Sequence, residues 1–204
     1  MSILIYIYTI RFTEKFTNII LLYMEALINK YKYEILNDEK DYVKYEQELY
    51  NAFTVYNSTN WLVKNYHIID GCRFRAKVPY VDQILYITKF EDQLLFGASI
   101  HINLKNRGYQ QLKDIGFNIN VNDCSCEALN FFISDKFDMK KNLSIHEYIK
   151  FTKFAFNDLR QRGYKVMYGT CDEKLLNFYK VFGFKCIKKK DIFNKVKHLL
   201  EIKF

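Results

Sequence analysis

The stretch that decides the fold is Cys171-Asp-Glu-Lys-Leu-Leu-Asn-Phe-Tyr-Lys-Val-Phe-Gly-Phe184. From Asp172 to Phe182, the residues Leu175, Leu176, Tyr179 and Phe182 recur at helical spacing and give the helix one apolar side. Gly183 stands where such a helix stops, because glycine takes the left-handed conformation at no steric cost. Phe184 to Lys188 then reads as a strand, with room for one more in the tail to Phe204.

The alternation continues upstream. Tyr164 to Gly169 is a short strand. Ile145, Tyr148, Ile149, Thr152, Ala155, Phe156 and Leu159 form one face of a helix. It opens on a capping-box pair, Ser144 and Glu147, and closes at Gly163. Cys126 to Ser134 is almost continuously apolar, as a strand covered on both faces must be. Strand, helix, strand, helix, strand predicts an α/β arrangement with at least one parallel pair.

Further upstream, Gln83 to Phe90 and Leu94 to Leu104 read as two strands joined by the polar turn Glu91-Asp92. Gly97, inside the second, predicts a bulge. Gly108 to Asn122 reads as a short helix and a loop, and Trp61 to Asp70 as an extended segment. At the N-terminal end, Ser2 to Ile10 reads as a short strand. Phe16, Ile19, Ile20, Tyr23 and Leu27 lie at helical spacing, and a second helical stretch follows Asp38 with Tyr42, Tyr45, Leu49 and Phe53 on one side. Residues 1–204 are expected to form one domain, with N-terminal helices over about 12–57.

Composition bounds the function. Half of the 204 residues are apolar and only one is proline, which excludes a disordered chain. The net charge of +8 suits either a basic solvated surface or an anionic ligand. The lysines are dispersed, with Lys188 to Lys190 the densest run, and no nucleic-acid-binding signature accompanies them. Cys72, Cys124, Cys126, Cys171 and Cys186 are odd in number and irregular in spacing, which predicts reduced thiols and a cytoplasmic setting. No His, Cys or Asp cluster has metal-ligand spacing. His67 and His198 stand alone, and His146 lies in the first turn of a helix. No apolar run reaches the length of a membrane span, and the apolar segment Ile3 to Ile10 lacks the flanks of a secretory signal.

Two places invite chemistry. The junction between Ser134 and the helix near Ser144 exposes unpaired N–H groups beside Lys136, Lys140 and Lys141, which is either an anion site or a plain basic loop. Tyr179 lies on a helix four residues before the Gly183 that ends it, and a phenol there can protonate a departing thiolate. A tyrosine on an amphipathic helix can equally be core. Glu127, in the buried strand, has its pKa raised by burial and can act as a general base, unless it faces an edge and pairs with a lysine. His101, in the strand Leu94 to Leu104, can be a base, a substrate contact or a hydrogen-bonded structural residue.

The run Asn177-Phe-Tyr-Lys-Val-Phe-Gly-Phe184 resembles the C-terminal motif of the GNAT acyltransferases: a short helix ending in aromatic-Tyr, two or three residues, then Gly-Phe. The resemblance covers roughly Gln83 to Ile187 and implies an α/β GNAT-like mixed sheet flanked by helices. It implies that Tyr179 acts as general acid toward the thiol of acyl-CoA or acyl-phosphopantetheine, and that backbone groups of Phe131, Phe132 and Ile133 pair with the pantetheine arm. Lys140, Lys141, Asn142 and Ser144 would hold its phosphate. They replace a glycine-rich loop, and Asp172 replaces a common Asn; the missing glycine suits a carrier-protein donor or an inactive member. Cys126-Glu-Ala-Leu-Asn-Phe-Phe-Ile133 further resembles the central strand of the N-acyl amino acid synthases and acyl-homoserine-lactone synthases, with Glu127 matched and Asn130 where an Arg is common. Cys171 also resembles the former, and Trp61, Asp70 and Asp82 loosely match the aromatic and acidic residues of the latter. The implied activity is N-acyl transfer to a small-molecule amine such as an amino acid, near Glu127 and His101, with acyl carrier protein as a candidate partner, no nucleic acid and no metal. The alternatives are lactone synthesis from S-adenosylmethionine and a degenerate binding module.

Overall fold

The computed structural model describes residues 31–55, 65–102, 108–119, 122–134, 145–192 and 195–204. The strand and helix read within residues 2–27 lie outside the described residues, as do Trp61, Lys136, Lys140, Lys141, Asn142 and Ser144.

The elements are β1 (Tyr31–Ile35), α1 (Glu39–Val55), β2 (Tyr66–Ile69), β3 (Arg73–Ala76), β4 (Gln83–Phe90), β5 (Gln93–His101), α2 (Gln110–Asp114), β6 (Ser125–Ile133), α3 (Ile145–Gln161), β7 (Val166–Asp172), α4 (Leu176–Val181), β8 (Lys185–Ile192) and β9 (Lys195–Lys203). Seven strands form one sheet in the order β1-β4-β5-β6-β7-β9-β8, and β2 and β3 form a separate hairpin. β6 and β7 are parallel, and every other described pair is antiparallel. The sheet is mixed, as expected from the alternation of strands and helices.

Helices cover both faces. Phe151, Ala155 and Leu159 of α3 are fully buried and join Tyr86, Phe96, Ile100, Cys126 and Met167 in one core. Tyr45, Leu49 and Ala52 of α1 join Leu85, Ile87, Leu94 and Phe132 in the other. Alternate residues of β4 therefore enter opposite cores, which is why its sequence reads as an unbroken apolar run. The β2–β3 hairpin is fastened to α1 by Glu46, fully buried, which pairs with Arg75 at 2.6 Å and accepts a hydrogen bond from Tyr80.

Several boundaries differ from those read in the sequence, each for a local reason. β1 lies between two expected helices; five residues at a sheet edge are too few to show a period. A hairpin ends the extended segment at Asp70 and Gly71, both at positive φ, and adds β3. β7 starts at Val166 because Tyr164 is still capping α3: its N–H reaches back to Leu159 O across Gly163. β8 runs on to Ile192; exposed almost throughout and rich in lysine, it has no apolar face to mark its length.

Gly97 is not the site of a bulge. The register slips lie elsewhere in β5 and its partners, at Thr88/Lys89 and at Ser99/Ile100. Gly97 is instead a point of close approach: a Cβ there would sit 2.2 Å from the Phe132 ring and 2.9 Å from Tyr45. Gly97→Ala is expected to cost about 1–3 kcal/mol of stability through overpacking, read from the denaturant midpoint, and Phe132→Leu in the same chain should recover part of it. A Gly97→Ala midpoint equal to wild type would contradict this packing.

Candidate functional site

β6 and β7 are paired over three residues only: Ser125 with Val166, Cys126 with Met167 and Glu127 with Tyr168. β6 then continues to Ile133 and β7 to Asp172. Two features part them. On β6, Ser99 pairs with Asn130 and Ile100 with Ala128, so Leu129 is an extra residue; such a bulge bends the strand and increases its twist. On the other side, β7 stays in register with β9 as far as Asp172 and Lys197, and follows it away. Residues 128–133 are thus paired to β5 on one side, with no registered strand partner on the other among the described residues.

The opening leads into a cavity of about 600 Å³. Phe131, Phe132 and Ile133 form one wall; Ala52 and Phe53 of α1 form another; Leu175, Phe178 and Tyr179 close the third. Lys174 and Lys195 add cationic groups to this apolar lining, and Asp172, paired with Lys197, stands beside them.

The local sequence fixes Tyr179. Gly183, at φ 90°, lets Gly183 N–H bond Lys180 O at 3.0 Å and Phe184 N–H bond Tyr179 O at 3.3 Å. This is a Schellman cap whose longer bond lands on Tyr179 itself. Its ring is held edge-on by Phe184 at 5.6 Å and by Phe131 at 6.5 Å. The Tyr-x-x-x-Gly-Phe spacing is therefore a device that aims one phenol. Burial first, then the nearby Cys171 and Asp172, hold the hydroxyl well above the ordinary tyrosine range, so it is protonated at neutral pH. Cys171 is buried and pushed up to about 12 by desolvation and the adjacent Asp172.

Glu127 lies on a central strand and pairs with a histidine, so the edge-facing, lysine-paired alternative does not hold. Its Oε1 accepts from Leu112 N–H at 2.9 Å, and its Oε2 lies 3.2 Å from His101 Nδ1. Desolvation raises its pKa, opposed by His101 and the Leu112 N–H. His101 also borders a second cavity of about 210 Å³, with Asn65, Tyr66, Asp82, Asp114 and Leu129 among its walls. Within that wall, Asp82 Oδ1 and Asn65 Nδ2 are buried and have no hydrogen-bond partner among the described residues. An unsatisfied acceptor and an unsatisfied donor beside a cavity are groups in want of a polar ligand.

Asn130 is consumed internally. Tyr45 O–H donates to its Oδ1 at 2.7 Å, and its Nδ2 donates to Tyr66 Oη at 2.8 Å. The position where lactone synthases commonly carry an arginine is thus neutral and satisfied. Asp70 sits at the hairpin turn paired with Arg73, away from both cavities. His67 and His146 are exposed. His198 does not stand alone: it contacts Glu173 and Cys186. Asn65 and His198 carry no sequence signal, because the cavity that Asn65 lines and the Glu173 and Cys186 that His198 contacts are brought to them by other elements.

No protein-family model and no curated protein matches the sequence. Solved structures do match. The acyl-homoserine-lactone synthase LasI superposes with a TM-score of 0.64 at 12% identity, over 85% of this chain and 89% of its own. The CoA-dependent acyl-homoserine lactone synthase BjaI, with SAM and isopentyl-CoA, gives 0.63 at 8% identity, over 85% and 83%. A GNAT family acetyltransferase from Elizabethkingia anophelis, with acetyl-CoA bound, gives 0.51 at 11% identity, over 86% and 99%. This chain has the GNAT fold. At such identities the fold is what is shared, and it is the GNAT-like mixed sheet that the sequence motif implied.

The raised pKa of Glu127 has a testable sign. Proton binding is tighter in the folded state, so the carboxyl's contribution is fully present below its ordinary value of 4.5 and is lost as pH rises through the raised folded value. The stability of wild type relative to Glu127→Gln should fall as pH increases above about 4.5. Chemical denaturation at a series of pH values measures it, and a difference that is flat from acid to neutral pH would contradict the assignment.

Proposed function

We propose that this chain is an N-acyltransferase that moves an acyl group from a pantetheine thioester to a small amine. The observation that carries this is the parting of β6 and β7 after Glu127, with Tyr179 on the wall of the resulting cavity. The pantetheine arm would lie along the open side of residues 128–133, where the backbone groups of Phe131, Phe132 and Ile133 are available to its amides. The acyl chain would fill the apolar cavity beyond. Lys174 and Lys195 suit a phosphorylated donor.

The amine would enter the second cavity. Asp82 supplies a carboxylate for an ammonium group, and Asn65 supplies a donor for a carbonyl or carboxylate. His101 takes the proton that frees the amine, and Glu127, bonded to its Nδ1, stabilises the charged ring. The nitrogen attacks the thioester carbonyl, and Tyr179 donates its proton as the carbon–sulfur bond breaks. Holding the two reactants in cavities that both border β6 supplies much of the acceleration. About 210 Å³ is below the usual size for a drug-like ligand, which favours an acceptor of amino-acid size over an adenosyl-bearing one. Together with the neutral Asn130, this favours amide formation over lactone synthesis from S-adenosylmethionine.

Coenzyme A and acyl carrier protein are both suitable donors, and the glycine-free segment at Lys140, Lys141, Asn142 and Ser144 favours the carrier protein, whose arm has one phosphate and no nucleotide. A reducing, cytoplasmic setting suits five free cysteines. No helix among the described residues is long and apolar enough to cross a membrane.

Tyr179→Phe is expected to lower turnover about 100-fold with little change in the apparent affinity for the acyl donor. Steady-state kinetics with an acyl-thioester donor and an amino-acid panel measure both. Unchanged turnover would remove Tyr179 from the chemistry.

A further inference from the structure

Cys186, His198 and Glu173 come from β8, β9 and the 3-10 turn Glu173–Leu175 that leads into α4. Cys186 Sγ lies 3.3 Å from His198 Nδ1, and the other ring nitrogen contacts Glu173 Oε2. The histidine is buried and the cysteine exposed. When the carboxylate accepts from Nε2–H, the lone pair of the neutral imidazole sits on Nδ1, facing the thiol. A nucleophile within reach of a base, and a base oriented by a third group, is the arrangement that activates cysteine. The thiol also has Lys188 O at 3.5 Å as a second acceptor.

The simpler roles do not fit. Cys171 stands opposite His198 on β7 while Cys186 is on β8, so the two cysteines flank β9. Strands two apart in a sheet are separated by about 9–10 Å, beyond the reach of a disulfide. No group of His, Cys, Asp and Glu among the described residues has the geometry of a metal site. A second observation bears on the electrophile. Glu173 also lines the 600 Å³ cavity, next to Lys195 and Val196 of the strand that carries His198. The cluster and the apolar cavity share a wall.

We propose that Cys186 is a nucleophilic thiol that accepts an acyl group from a thioester, with His198 as its base and Glu173 as the group that positions the ring. His198 Nδ1 takes the thiol proton, and the Cys186 sulfur attacks the thioester carbonyl. A new carbon–sulfur bond forms on the protein as the donor's carbon–sulfur bond breaks. The proton on His198 passes to the departing thiolate, so the exchange is redox-neutral. This shares only the thioester donor with the proposed amine transfer, and requires neither Tyr179 nor His101.

The test is incubation of the full chain with octanoyl-coenzyme A, followed by intact-mass and peptide mass spectrometry. One octanoyl group on Cys186, released by neutral hydroxylamine, is expected at a rate at least about tenfold above that of the partly exposed Cys72 and Cys124. His198→Gln should bring Cys186 down to the rate of those two. Glu173→Gln, at an exposed side chain whose loss leaves the core intact, should slow it severalfold. Cys186→Ser should abolish the adduct while amine transfer from the same donor persists, which separates the two reactions. Equal acylation of the three cysteines, no adduct at all, or undiminished rates in both Glu173→Gln and His198→Gln would overturn the proposal.

Discussion

The fold depends on an interaction that stops early. Parallel strands normally continue their ladder until one of them ends, because a buried backbone group without a partner is costly. Here β6 and β7 exchange hydrogen bonds around three pairs and then diverge, although both run on. Each strand is committed elsewhere. The extra residue Leu129 bends β6 while its pairing to β5 persists, and β7 is drawn away by its long ladder with β9. The polar groups left on β6 face an apolar cavity, and an extended ligand with amides of its own can satisfy them.

Both helical layers bear on that opening. α1 packs Tyr45 against Phe132 at 5.2 Å, and Gly97 makes room for the same ring, so the β6 wall is fixed from the α1 side. From the other side, the cap at Gly183 and Phe184 fixes Tyr179. The site is thus assembled from rigid elements, which suits chemistry that relies on positioning. The polar end lies across β6, where Glu127 joins α2 to His101, and where Asp82 Oδ1 and Asn65 Nδ2 have no partner among the described residues.

What was legible in the sequence follows from which forces are local. The α4 helix and its stop announce themselves through apolar spacing and one glycine, and β6 through a run that only a doubly covered strand tolerates. The GNAT-like mixed sheet follows from their order. The bulge at Leu129 was not legible, since no glycine or proline marks it; it exists because β5 and β6 slip by one residue. Gly97 was visible but assigned to the wrong cause, because close approach of a ring from another element leaves no trace in neighbouring residues. β8 was cut short because lysines on an edge strand show no alternation. His198 looked solitary because its partners, Cys186 and Glu173, belong to other elements.

The central claim is that the open side of residues 128–133 receives the donor's pantetheine arm. Amide hydrogen exchange, with and without octanoyl-coenzyme A, reads those backbone groups directly. The structure predicts slowed exchange confined to amides on the β7 side of residues 128–133, with those paired to β5 already slow and unaltered. Exchange across 128–133 that is the same with and without donor, at concentrations that saturate binding, would contradict it.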